Sequence, residues 1–177
     1  MVHGGATFSR PVLVSDDVLI ALKLLIPLAP LHQPHNLAAI ESLRALAPEL
    51  PQIACFDTAF HMTVPDYARN FALPRTLTAK GVRRYGFHGL SYLYIAHEIR
   101  RSAPELAGGR VVVAHLGNGA SLCAMRDGKS VATTMGFSAM DGLMMGTRSG
   151  AIDPAVIFYL MREEGMSAAE VLSLIHI

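Results

Sequence analysis

The order of apolar and polar positions divides the chain into helical stretches at both ends and a strand-rich block between them. "VLIALKLLI" reads as a helix capped by Asp16 or Asp17 and stopped by Pro27. "LAPLHQPHN" is a proline-punctuated loop, after which Asn36 caps a helix through "LAAIESLRALA" that "PELP" ends. "QIACFD" is a short buried strand. Ser91–Arg101 is predicted helical, with Leu93, Ala96, His97 and Arg100 at helical spacings. From 110 to 136 everything reads as β: "RVVVAHLG", a buried strand, then "ASLCAMRDG" and "KSVATTMG" joined by a turn at Asp127-Gly128. "DPAVIFYLMREEG" is a helix with Asp153 at its cap and Pro154 at its first position. Ser167 caps another that begins "AAEV".

This alternation predicts an α/β unit, a mixed sheet with flanking helices, without internal repeats or low-complexity linkers. With 177 residues, 51% of them hydrophobic, the chain can bury one sizeable core or a large part of a bigger one. A net charge of +1 with no basic run argues against nucleic acid as a partner, but leaves room for a small anion held by a few arginines. The run Val18–Leu31 is broken by Lys23, Pro27 and Pro30 and is too short to span a membrane. No signal peptide opens the chain, and Cys55 and Cys123 sit in apolar segments as buried free thiols. A cytoplasmic setting is expected. Both ends are abrupt: "MVHGG" opens inside what reads as a packed strand and tight loop, and "LSLIHI" closes in mid-helix.

Five short segments carry candidate chemistry. Gly117-Asn118-Gly119, where a strand surfaces, is either a plain β-turn or an anion nest of backbone N–H groups, with His115, Ser121 and Lys129 nearby. In "MGTRSGAIDP", Arg148 lies between Gly146 and Gly150 just before a helix; it either caps a loop carbonyl or spreads its planar fork over phosphoryl oxygens. Asp57, where "QIACFD" ends, can bind Mg²⁺, take a proton or cap the next turn. His88, between two glycines before a helix, can donate to an anion or be structural. His32 and His35 flank Pro34 with no carboxylate or cysteine to complete a metal set, which leaves His32 as an anion donor. Together these residues are an inventory for phosphoryl transfer, in which positioning and charge neutralisation do most of the work.

"VHGG", "LAPLHQPHN", "CFDTAFH", "RRYGFHGLSY" and "VVVAHLGNGASLCAMRDGKSVATTMGFSAMDGLMMGTRSGAIDP" resemble the acetate kinase family in order and spacing, from Val2 to about Val171. The resemblance implies the actin-like, ribonuclease-H-like two-lobed ATPase fold, cut across its middle. It also implies Mg²⁺-dependent, reversible transfer of the ATP γ-phosphoryl group to acetate or another short-chain carboxylate, in a parent enzyme that is a homodimer. By motif, Asp57 resembles the acidic residue near the metal, and His88 with Arg148 the pair that stabilises the transition state. His115, Leu116, Gly117, Asn118 and Gly119 match the ATP phosphate loop. His32 matches a further active-site histidine, and Val2, Leu31 and Phe87 fall at the pocket for the acyl methyl.

Ala139 stands where many members of that family have proline, which opens propionate or butyrate as alternative substrates; Ala151 stands where aspartate is frequent, with little consequence expected. The family's N-terminal Asn/Ser phosphate motif, the arginine before "VHGG", the second-lobe adenosine loops and the late metal-binding glutamate have no counterpart in these residues. The chain alone is therefore expected to be inactive, or a phosphate-binding fragment without catalysis. The codons CTG TCT CTT ATA CAC ATC, a transposase end sequence used in library preparation, translate to Leu-Ser-Leu-Ile-His-Ile. Residues 172–177 are accordingly expected to be foreign to the fold.

Overall fold

The computed structural model describes residues 1–176. Its larger sheet is an antiparallel meander of β3 (Arg110–Leu116), β4 (Ala120–Arg126) and β5 (Lys129–Thr133); a smaller one pairs β1 (Val12–Leu13) with β2 (Ile53–Ala54), also antiparallel. The expected mixed sheet is thus not found among the described residues. The links at 117–119 and 127–128 are far shorter than the crossover a parallel pair needs. Asp127 and Gly128 both adopt positive φ, 53° and 70°, the hairpin geometry that an Asp-Gly pair favours. Nor is β3 buried on both faces. Val112 and Leu116 are 69% and 74% exposed, while Val111 and Val113 pack inward.

Between and around the sheets lie α1 (Asp16–Lys23), α2 (Gln33–Leu46), the short turns α3 (Asp66–Arg69) and α4 (Arg75–Ala79), and α5 (Gly89–Ser102). The short α6 (Pro104–Ala107), then α7 (Pro154–Arg162) and α8 (Ala168–Ile175), complete the chain. Ser15, not either aspartate, caps α1, its side chain accepting from the Val18 N–H; Asp16 and Asp17 occupy the first turn, where carboxylates suit the helix dipole. α2 begins three residues before the expected cap at Asn36, because Pro34 fits a first helical turn. Asn36 instead accepts the Val2 N–H at 2.9 Å, tying the start of the chain to α2. Asp153 and Ser167 cap α7 and α8 as predicted, Ser167 within a full capping box with Glu170. Of the segment 172–177, α8 takes in residues to Ile175, and Ile177 lies outside the described residues.

Two apolar clusters hold these elements. Leu19, Leu22, Leu37, Ala54 and Phe56 join α1, α2 and β2, each large side chain contributing about 1.5–3 kcal/mol on burial. Tyr92, Ala96, Cys123 and Met125 join α5 to the meander, with Ile99, Val111 and Val113 packed against them. The inner face of α5 is therefore Gly89, Tyr92 and Ala96; of the residues noted at helical spacings only Ala96 lies on it, and Leu93 is 42% exposed. The first residue of that face, Gly89, follows His88 directly, so packing α5 on the sheet fixes where His88 stands.

Candidate active site

α5 starts from an unusual backbone. His88, its N-cap, is left-handed at φ 60°, ψ 21°, a conformation that costs a non-glycine residue about 1–2 kcal/mol. Asp57, just past β2, holds it there. One carboxylate oxygen accepts the His88 N–H at 3.2 Å, the other the Leu90 N–H at 3.4 Å, and the Asp57 carbonyl accepts the Gly89 N–H at 2.9 Å. A Cβ on residue 89 would fall 2.1 Å from that carbonyl oxygen, so only glycine allows the approach. Asp57 thus caps α5 across 31 residues, rather than the turn that follows it. The Thr58 hydroxyl, fully buried, accepts the Gly4 N–H at 3.0 Å and secures the "VHGG" loop instead.

Above this cap lie two imidazoles. The His88 and His115 rings stack with centroids 4.1 Å apart and planes 21° from parallel. Each is anchored through Nδ1, His88 to the Ser121 hydroxyl at 2.8 Å and His115 to the Ser91 hydroxyl at 3.0 Å. The other ring nitrogen of each lies toward the 117–119 loop. A Cβ on Gly119 would meet His88 Nε2 at 3.1 Å, and one on Gly117 would meet His115 Nε2 at 3.7 Å. Burial, then the neighbouring His115, pushes the His88 pKa below its ordinary value; Asp57 works against them and Arg148 with them. Neither glycine of the loop is left-handed among the described residues. Gly119 is needed for close approach, and the Gly117 N–H is engaged by the Gly119 carbonyl at 3.1 Å.

The 145–148 turn closes over the same loop, its Gly146 N–H donating to the Asn118 carbonyl at 3.2 Å. Arg148 extends from it. Nη1 donates to the Ala139 carbonyl at 3.0 Å and lies 3.5 Å from where a Gly119 Cβ would be. Its Nε–H is buried and has no partner among the described residues. A buried guanidinium donor without an acceptor is costly unless something supplies one. The carbonyl cap expected of Arg148 is therefore present, and the fork still has a hydrogen to give.

A largely apolar cavity of about 250 Å³ is bounded by Val2, Leu31, His32, Phe87, Ala139, Leu172 and His176. Arg148 reaches its edge through the Ala139 carbonyl and through a backbone bridge to His176. The His32 pKa is lowered by burial first, then by Arg148, His176 and His35. Asp57 supplies one carboxylate nearby. Among the described residues no group of three His, Cys, Asp or Glu side chains is placed to hold a metal ion.

The profile of the acetokinase family matches residues 1–176. The chain belongs to that family. Acetate kinase from Methylocella silvestris is 60% identical over 176 residues, which are 99% of this chain and 44% of that protein. A propionate kinase structure from Francisella tularensis superposes with a TM-score of 0.95 at 45% identity, covering 99% of this chain and 46% of the other. The Porphyromonas gingivalis acetate kinase structure gives 0.91 at 42% identity, with 99% and 45% covered. The chain therefore spans less than half the length of the relatives it matches, and shares their α/β fold over that span.

Within this acetokinase region the structure brings together Asp57, His88, His115, Gly117, Asn118, Gly119 and Arg148, with Val2, Leu31, His32 and Phe87 in one adjoining cavity. Leu116, the last residue of β3, leads directly into the loop with its side chain exposed. Lys129 is not near the loop as expected. It pairs with Arg126 at the far end of β4, roughly 20 Å away at about 3.4 Å per residue. Sequence reasoning missed Ser91 and Tyr92, although both lie in "YGFHGLSY" directly after His88. It also passed over His61, whose ring bonds the Ser130 hydroxyl at 2.8 Å and the Phe87 carbonyl at 2.9 Å, bracing the residue before His88. Burial lowers the His61 pKa to about 4, keeping that brace neutral.

Proposed function

We propose that this region supplies the phosphoryl-transfer side of a carboxylate kinase, which moves the γ-phosphoryl group of ATP reversibly onto acetate to give acetyl phosphate and ADP. The observation that supports this reading best is the convergence of Arg148, His88 and the 117–119 loop beside an apolar cavity. Phosphoryl transfer needs in-line positioning and charge neutralisation more than covalent help from the protein. Arg148 meets the need with a fixed positive charge and an unspent Nε–H. Gly119 lets a phosphate approach the backbone beside His88 Nε2. In this reading the acyl methyl sits among Val2, Leu31 and Phe87, and His32, kept neutral, donates to the carboxylate or the phosphoryl oxygens.

Asp57 fits a role toward Mg²⁺. The cation is commonly held by one or two carboxylates together with substrate phosphates and water, so a single protein carboxylate is consistent with a nucleotide-borne ion. When bound, the ion would neutralise phosphate charge. Asp57 also holds His88 in its left-handed conformation whether or not the ion is present. Two free thiols, Cys55 and Cys123, accord with a reducing cytoplasm. Leu172 and His176 lie on the segment read as foreign, and neither has a role here.

Ala139 favours a second reading, propionate as acceptor. Its side chain is small, it lines the cavity, and about 250 Å³ exceeds what one methyl group requires. The test is acyl phosphate formation by the full-length protein carrying this region, trapped as the hydroxamate with ATP, Mg²⁺ and either acid. Acetyl phosphate as the preferred product supports the first reading and a longer-chain preference the second. Nucleotide binding without either product would leave only a phosphate-binding region.

A further inference from the structure

We propose that Tyr92 and Ser121 are positioning residues that fix the tautomer of His88, so that its Nε2 carries the ring hydrogen and presents it to the 117–119 loop. The proposal rests on the reading that His88 meets the transferred phosphoryl group. Tyr92 and Ser121 are both fully buried, at 0% exposure, and their hydroxyls are hydrogen-bonded to each other. The only other side-chain partner of the Ser121 hydroxyl among the described residues is His88 Nδ1, at 2.8 Å.

The Tyr92 hydroxyl has no acceptor among the described residues except Ser121 Oγ, so its hydrogen goes there. The Ser121 hydrogen then has one acceptor left, His88 Nδ1. Reversing the chain would strand the buried phenol hydrogen without an acceptor, a penalty native interiors avoid. A neutral imidazole that accepts at Nδ1 must carry its hydrogen on Nε2. That atom lies 3.1 Å from where a Cβ of Gly119 would stand, toward the loop where a phosphate approaches. Tyr92 also packs α5 against the meander, so one side chain anchors the helix and orients the histidine at its start.

Two readouts test this. Long-range ¹H–¹⁵N correlation spectra of the ¹⁵N-histidine-labelled chain report each tautomer directly, with His88 assigned from the signal lost in His88→Gln. The wild type is expected to show the Nε2–H form, and Ser121→Ala and Tyr92→Phe a mixture. In the full-length enzyme Tyr92→Phe is expected to lower kcat about tenfold, with the KM for ATP changed less than about twofold. A wild-type Nδ1–H form would overturn the proposal, as would unaltered tautomer and kcat in both variants. The spectra need neither nucleotide nor carboxylate. An Nε2–H form in an enzyme that makes no acyl phosphate would therefore sink the proposed function and leave the positioning intact.

Discussion

Asp57 and His88 lie 31 residues apart in sequence, yet the carboxylate of one fixes the backbone of the other, accepting the His88 N–H at 3.2 Å. A residue placed by motif near a metal thus has a second task, holding a strained left-handed histidine at the head of α5. Both tasks concern the same few atoms, so substitutions around them should have separable signatures.

The protonation of His88 is one. His115 and Arg148 lower its pKa and Asp57 raises it, beneath the larger effect of burial. His115→Asn should therefore raise the His88 pKa, and Asp57→Asn should lower it further. An NMR pH titration of the labelled chain reads both shifts. Movement in the opposite sense would mean that the stacked pair is not coupled as the geometry implies.

Acid stability is another. His3 and His61 have pKa values near 4 because burial penalises their charged forms, against 6.5 in an unfolded chain. Between those values the unfolded state binds more protons, so stability is full above about pH 6.5 and is lost as pH falls toward 4. Each histidine contributes up to about 3 kcal/mol of that loss. Denaturant titrations from pH 7.5 to 4.5 should show the fall, and His61→Gln should remove part of it.

Gly119→Ala isolates the loop. Its methyl carbon would stand 3.1 Å from His88 Nε2, close enough to press that ring aside slightly, and in ordinary contact with Arg148 Nη1 at 3.5 Å. A misplacement of about 1 Å costs roughly a hundredfold in rate, and the smaller shift needed here costs less. The expected result is a drop of about tenfold in kcat/KM with an unfolding midpoint close to wild type.

Ala139→Val narrows the cavity beside Phe87 and Leu31. One methylene is worth about 1–3 kcal/mol of discrimination in an apolar pocket. The ratio of kcat/KM for acetate over propionate should rise about tenfold or more. A ratio that stays put would place the acyl group elsewhere.

What the sequence revealed was mostly local. Asp127-Gly128, Asp153-Pro154 and Ser167 each determine a turn or cap within four residues, and the structure has all three. Asn36 and Asp57 were harder to read because their partners are distant: Asn36 caps no helix but holds Val2, and Asp57 caps α5 rather than its own turn. The helix α5 was legible but its buried face was not, because spacing alone fits several faces; Tyr92 is buried through its contacts with Cys123 and Ser121, which lie on another element. The cavity residues Val2, Leu31, His32 and Phe87 come from three segments that no periodicity connects. Only the resemblance to a family grouped them in advance.

In the proposed reaction this region neutralises charge on a phosphoryl group in flight, and Arg148 carries most of that task. Its guanidinium is held by the Ala139 carbonyl, while its buried Nε–H has no partner among the described residues. In the full-length enzyme, Arg148→Ala and Arg148→Lys should each lower kcat for acyl phosphate formation by about a thousandfold or more, since lysine lacks the planar fork. The unfolding midpoint should change little. Near wild-type kcat in either variant would mean that the guanidinium does not meet the transferred phosphoryl group.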